Sequence, residues 1–299
     1  FSQNPKFILS SSFPYLEASG RTLSFYPKLS TPGLFATDLN EMAKNKEEKV
    51  RIIREYKKFK KAEYVSESLF KKMLKGIPEK DLFKNYLEKI IMIDGKMMVN
   101  KEEESFYKKV NPLVKHEQIQ KNSIDRLSMT TGKEGGETFY QEEYFTSHSF
   151  KLHFLIKTDD IEFLKPVFRY LEDKGIGGNR STGKGRFKIE ILNEQIIGDD
   201  KSTCFVTLSR YVPDISELNL QSEKMYYEIF ASRSKVDSEA EFKGEDIWKL
   251  KVMYIREGSC FEANERREFY GRLPVVKEID GRKIYQNGLA FPVFGNFGV

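Results

Sequence analysis

The stretch Gly175-Ile-Gly-Gly-Asn-Arg-Ser-Thr-Gly-Lys-Gly-Arg-Phe187 constrains this chain more than any other, because its flanks fix the order in which strand, helix and loop must follow one another. Upstream, Phe150, Leu152, Phe154 and Ile156 alternate with Lys151, His153, Leu155 and Lys157, the period of a strand with one buried face. Leu164, Val167, Phe168 and Leu171 then fall at helical spacing up to Lys174, with Asp159 and Asp160 available as caps, Pro166 restricting the regular part to its C-terminal side, and Gly175 placed as the C-terminal cap. Downstream, Phe187, Ile189 and Ile191 alternate with Arg186, Lys188 and Glu190, again as a strand. The predicted unit is strand, helix, glycine loop, strand.

That order argues against two familiar nucleotide loops. Gly178 to Lys184 has the spacing of a Walker loop, but Gly185 stands where a Ser or Thr hydroxyl would hold Mg²⁺. Gly175-Ile-Gly177-Gly178 opens like a dinucleotide fingerprint, but Arg180 takes the place of the third glycine. Both motifs also follow a strand and open a helix, whose N-terminal N–H groups face the anion; here the helix comes first. Turn-forming N–H groups together with Arg180, Lys184 and Arg186 suit a sugar–phosphate backbone running across the loop. A flexible glycine turn with solvated charges stays open on these residues alone.

The chain has 299 residues and a formal net charge of +5, from 50 Lys+Arg against 45 Asp+Glu, so any nucleic-acid surface must be a local patch. Its length and its 24 Phe and 15 Tyr suffice for two domains with buried cores. Cys204 and Cys260 lie far apart and outside C-x-x-C spacing, which fits core thiols in a reducing compartment. No stretch reads as a membrane span or signal segment, and a cytoplasmic location is expected. The first residue is not Met and falls just before an apolar strand, Phe7-Ile-Leu9, so the expectation is a piece of a longer chain.

From about Thr37 to Lys75 the pattern is helical and charged, with a stripe of Val50, Ile53, Tyr56 and Phe59 beside Lys57, Lys58, Lys60 and Lys61, read mostly as a solvated face. Between Asn122 and Phe145, Gly132, Gly135 and Gly136 mark a hairpin carrying Arg126, the hydroxyls of Thr130 and Thr131, and Phe139-Tyr140. Hydroxyls and an arginine grip a nucleic-acid backbone, and an aromatic wedges against an unstacked base; an ordinary hairpin whose aromatics pack is the alternative.

With loop and hairpin taken together, the chain resembles the RAMP superfamily of CRISPR-associated proteins, whose hallmark is a glycine-rich loop between the last helix and last strand of a ferredoxin-like unit. More closely, it resembles the subunit of type III-A (Csm) effector complexes that caps the five-prime handle of crRNA. Four places carry the resemblance: Ser10-Ser-Ser-Phe-Pro14 with Phe25-Tyr-Pro-Lys28, the Asp125-Arg126 to Tyr144-Phe145 hairpin, Gly175 to Phe187, and Gly258-Ser-Cys-Phe261 with Phe291-Pro-Val-Phe294.

The resemblance implies an α+β chain of two ferredoxin-like (RRM-like) domains. Residues 1–198 form the first, with a charged helical and hairpin insertion over 29–147 and the glycine loop over 175–187; residues 199–299 form a second, degenerate, strand-rich unit. Members normally begin with a strand and helix that this sequence lacks ahead of Ser10. The implied partners are crRNA, a large polymerase-like subunit and the repeated backbone subunit, with no membrane. The implied RNA contacts are Arg126, Thr130, Thr131, Phe139 and Tyr140 on the hairpin, and Gly175, Gly177, Gly178, Asn179, Arg180, Ser181, Thr182, Gly183, Lys184, Gly185 and Arg186 on the loop.

Some RAMP proteins are endoribonucleases, which need a general acid and base, most often histidine. Only His116, His148 and His153 are present, and His153 is read as structural rather than catalytic. Gly198-Asp-Asp200 lies in a polar stretch between the domains and is read as a linker, and Glu102-Glu-Glu104 as solvated. The expectation is a non-catalytic RNA-binding subunit without metal or cofactor. The alternatives are a RAMP endoribonuclease acting through His153 or Tyr140, and an NTP-binding protein using Gly178 to Lys184.

Overall fold

The computed structural model describes residues 4–18, 20–103, 113–122, 138–177, 179–193, 198, 201–236, 247–279 and 281–297. The N-terminal part runs β1 (Phe7–Leu9), β2 (Phe13–Ala18), β3 (Arg21–Pro27), α1 (Ala36–Glu41), α2 (Lys46–Lys60), β4 (Tyr64–Ser66), α3 (Glu67–Leu74), α4 (Glu79–Lys89), β5 (Ile90–Ile93) and β6 (Met97–Asn100). It continues with β7 (Val114–Asn122), β8 (Thr138–Thr146), β9 (Phe150–His153), β10 (Ile156–Thr158) and α5 (Lys165–Lys174). The remainder comprises β11 (Cys204–Thr207), β12 (Ile229–Ser232), β13 (Val252–Ile255), β14 (Cys260–Glu262), β15 (Tyr270–Gly271), β16 (Val275–Ile279), β17 (Arg282–Tyr285), β18 (Leu289–Ala290) and β19 (Pro292–Phe294).

The main sheet has the order β5-β6-β4-β3-β2-β9, antiparallel except where β4 and β6 run parallel. Its β4, β5 and β6 come from the region read as an insertion, so that region extends the sheet instead of standing apart from it. Helix α2 starts where Asn45 accepts the Glu48 N–H at 2.8 Å. It buries Ile52, Tyr56 and Phe59; Val50 is exposed, so the apolar stripe is displaced from the predicted one. Lys57, Lys58, Lys60 and Lys61 are all exposed, as expected. Glu103 departs from its solvated reading, because its carboxylate accepts the Ser66 hydroxyl at 2.8 Å, the Ser68 hydroxyl at 2.9 Å and the Asn100 N–H at 2.8 Å. Three donors arriving from β4, α3 and β6 make it a tie between elements, and charge alone did not show this.

The two halves share a core. One cluster joins Phe13, Phe70 and Leu74 to Cys204, Val206, Cys260 and Val293, and a second surrounds Phe205, which stacks on Tyr270 at 4.4 Å. Close backbone approaches seal the junction. At Gly258 (φ +89°) an added Cβ would fall 2.3 Å from the Lys28 carbonyl oxygen, and at Gly295 an added Cβ would fall 2.6 Å from that of Leu74. The motif pairs around Lys28, Gly258 and Phe294 therefore lie at packing positions: Phe25 and Phe13 are almost fully buried, Tyr26 stacks on Phe70 at 4.8 Å, and Phe294 packs on Phe205. Cys204 and Cys260 are buried free thiols, as expected, and burial pushes both thiols up.

The second half matches the sequence in strand content more than in strand bounds. Residues 225–230 and 247–254 yield only Ile229–Ser232 and Val252–Ile255 as a paired hairpin. The larger difference lies downstream of the glycine loop. Residues 184–192 alternate like a strand but pair with no other strand among the described residues. A strand's N–H and C=O groups need a neighbour, and periodicity reports a half-buried face without saying whether one is there.

Candidate nucleic-acid interface

Helix α5 ends as predicted. Gly175 adopts φ +74° and its N–H returns to the Leu171 carbonyl at 2.8 Å. The Ile176 N–H donates to the Gly185 carbonyl at 2.9 Å, which closes the loop at its neck. That neck has no room for side chains on the glycines: a Cβ at Gly185 (φ +72°) would lie 1.8 Å from the Ile176 carbonyl oxygen, and one at Gly175 would lie 2.9 Å from that of Gly185. Gly177 and Gly183 also have positive φ, but with open space around them. The tip is a 3₁₀ turn, Arg180–Thr182.

This geometry turns several backbone donors inward. The N–H groups of Thr182 and Lys184 and the Thr182 hydroxyl all donate to the Asn179 carbonyl, and the Gly183 N–H donates to that of Arg180. These N–H groups are committed to the turn, so the expected wrapping of phosphate by consecutive loop N–H groups does not apply to them. What the loop presents outward is side chains, with Arg186 exposed and Arg180 half-buried.

The hairpin is present and longer than its glycines indicated. β7 and β8 pair antiparallel from Val114↔Thr146 to Asn122↔Thr138. Arg126, Thr130 and Thr131 lie outside the described residues, as do Gly178, Asp199, Asp200 and the Ser181 side chain. Phe139 and Tyr140 are described. With Phe145 they stand exposed along β8, Tyr140 at 66%, while Tyr144, 69% exposed, stacks on His116 at 4.7 Å.

Loop and hairpin meet at Glu143. Its carboxylate, nearly buried, is contacted by the Lys184 ammonium on one oxygen and by Lys121 at 3.0 Å on the other. A hydrogen bond from Lys184 first, and the ion pair with Lys121, hold the Glu143 carboxyl below the usual carboxylate range. Lys184, predicted as a phosphate ligand, is thus a brace between the two elements. Charge spacing within the loop could not show it, because its partner lies 41 residues away.

His153 ends β9, the edge strand of the main sheet, and is half-buried. Its Nε2 is 2.8 Å from the Phe25 carbonyl oxygen, and its ring is packed by Tyr26 edge-on at 5.3 Å, Phe13 and Tyr15. This is the structural role expected of it. No helix among the described residues is long and apolar enough to cross a membrane.

No protein-family model matches the chain, and no curated protein does. Among solved structures, it is similar to a chain of the Csm3–Csm4 subcomplex of a type III-A CRISPR–Cas interference complex, with a TM-score of 0.58 at 17% identity over 97% of this chain and 84% of that one. It has the fold of a type III-A effector subunit. A chain of a Csm1–Csm4 cassette in complex with cA4 is similar at a TM-score of 0.49 and 15% identity, over 98% of this chain and 80% of that one. The mixed architecture of helices and one large sheet agrees with the α+β class implied by the sequence resemblance.

Proposed function

We propose that this chain is a non-catalytic RNA-binding subunit of a type III-A effector complex that caps the five-prime handle of crRNA, built as two ferredoxin-like units divided near residue 198. The observation that carries the reading is the Glu143 brace. Two segments selected separately from sequence for RNA contact, the glycine loop and the hairpin, are held side by side by Lys184, Lys121 and one carboxylate. RNA backbone is taken by Arg180 and Arg186, while Phe139, Tyr140 and Tyr144 offer faces for unstacked bases. The similar solved chain belongs to an assembly with another subunit, which supports docking to a backbone subunit and to a large polymerase-like subunit, in the cytoplasm. The packed and hydrogen-bonded state of His153 favours this reading over an endoribonuclease.

The test is to incubate the purified protein with end-labelled RNA carrying or lacking a repeat-derived handle, and to record binding and cleavage together. Handle-dependent binding without cleavage is the expected result. Specific cleavage by the protein alone would replace this reading with a processing nuclease, and Mg²⁺-dependent nucleotide binding with it would favour the NTP-binding alternative.

A further inference from the structure

The hairpin of β12 and β13 leaves one of its long sides unused. On β13, Ile255 exchanges both backbone hydrogen bonds with Tyr211, and just before it the Leu250 N–H donates to the Val276 carbonyl at 2.7 Å, so this strand is flanked on both sides. Among the described residues, β12 is flanked on one side alone. The Arg256 N–H donates to the Glu228 carbonyl, the Lys249 N–H to that of Ser234 and the Val236 N–H to that of Ile247, which turns the even-numbered backbone groups over 228–236 toward β13. The positions between them, Ile229↔Ile255, Ala231↔Met253 and Lys235↔Trp248, are the ones that do not bond across the ladder. The N–H and C=O groups of Ile229, Ala231, Arg233 and Lys235 therefore point away from the hairpin, and they have no partner among the described residues. The four residues span about 20 Å, and an open edge of that length is a template for another strand.

The side chains along this edge narrow the class of occupant. All four residues are exposed, Ile229 at 57%. Around Ile229 and Ala231 the surface is apolar, because Met253, opposite Ala231, is exposed as well. Around Arg233 and Lys235 it is cationic. Both lie over the Trp248 ring, at 5.3 Å and 5.0 Å, and the Arg233 Nε donates to the Lys249 carbonyl at 3.0 Å, which holds the guanidinium there. Neither cation forms an ion pair among the described residues. Basic side chains commonly protect exposed edges, but here they guard one half: residues 229–231 carry no charge, and 228–236 contain no proline. An extended polypeptide answers alternating N–H and C=O groups one for one. A phosphodiester backbone offers acceptors only and would leave the carbonyls unsatisfied.

We infer that β12 takes up an extended segment of a partner protein as an added strand, with apolar side chains beside Ile229 and Ala231 and acidic ones beside Arg233 and Lys235. This rests on the effector-subunit reading above and is independent of its RNA contacts.

The test is fluorescence anisotropy with a short labelled peptide, Thr-Val-Thr-Val-Thr-Glu-Thr-Glu, and with its reverse sequence, since a strand can add in either direction. One of the two is expected to bind roughly tenfold or more tightly than the same peptide with lysine in place of glutamate, and to slow hydrogen exchange over residues 229–235. Ala231→Pro removes one outward N–H and none of the bonds to β13, so it should weaken that binding roughly fivefold or more with the fold retained. Arg233→Glu combined with Lys235→Glu should reverse the preference between acidic and basic peptides, a result that does not depend on the proline variant folding. Binding of neither acidic peptide, equal binding of acidic and basic ones, or a preference that survives the charge reversal overturns the inference. Self-association abolished by Ala231→Pro would assign the edge to a second copy instead, and RNA binding lost on charge reversal would assign it to nucleic acid. Handle-RNA binding by the wild type is read separately, so a failure of the peptide arm leaves the proposed function standing, and the reverse holds too.

Discussion

Lys184 of the glycine loop and Glu143 of β8 are joined through a single carboxylate oxygen, while Lys121 occupies the other. The loop is thereby joined to the hairpin by charge. Glu143→Gln should loosen both elements and release two lysines. Faster hydrogen exchange across β7 and β8 is expected, together with an RNA-binding salt slope steeper by roughly 0.7 for each lysine that then meets a phosphate. Unchanged exchange would mean that the pair does not brace the hairpin.

The glycines of the loop should differ in what they tolerate. Gly185→Ala drives a Cβ to 1.8 Å from the Ile176 carbonyl oxygen and must break the neck. Gly183→Ala meets open space and bears only the penalty of φ +81°, about 1–2 kcal/mol. Thermal melts should show the larger loss for Gly185→Ala, with RNA binding reduced in the same order. The reverse order would mean that the neck rearranges at little cost.

What the sequence disclosed, and what it did not, follows from the range of the forces involved. Helix α5, its Gly175 cap, the positive-φ glycines and the existence of the hairpin were legible, because each is set by residues within a few positions of one another. Glu103 was misjudged, and the Glu143 partner of Lys184 was missed, because their partners are distant in sequence and a charge shows no partner until its counter-group is located. The shared core escaped the domain division for the same reason: Gly258 and Lys28 meet across 230 residues of chain, and a glycine in a polar loop gives no sign of the carbonyl that it accommodates.

His153→Gln offers a direct comparison of the structural and catalytic readings. The ring nitrogen at 2.8 Å from the Phe25 carbonyl, inside an aromatic cluster, predicts a lower melting temperature from lost packing, by about 1–3 kcal/mol of stability. Intact RNA is expected with both proteins. Cleavage by the wild type that disappears in the variant would restore the endoribonuclease.

Stability should vary with pH in a sense set by Lys28. Burial lowers its amine to about 8 from the ordinary 10.5, with the Glu79 carboxylate opposing in part. Between those values the unfolded chain binds the proton that the folded chain has released, so stability rises as pH increases from about 8 toward 10. For this partly exposed side chain the gain is about 1–2 kcal/mol after allowance for solvent. Burial acts oppositely on tyrosines, pushing Tyr86 up to about 12 and raising Tyr56 and Tyr211. Their contribution is complete below pH 10 and is lost as pH climbs through the folded values. Urea melts at pH 7, 9 and 11 should therefore show a maximum near the middle value. Lys28→Met should flatten the rise and leave the alkaline fall intact; a rise that persists in Lys28→Met would assign it to another group.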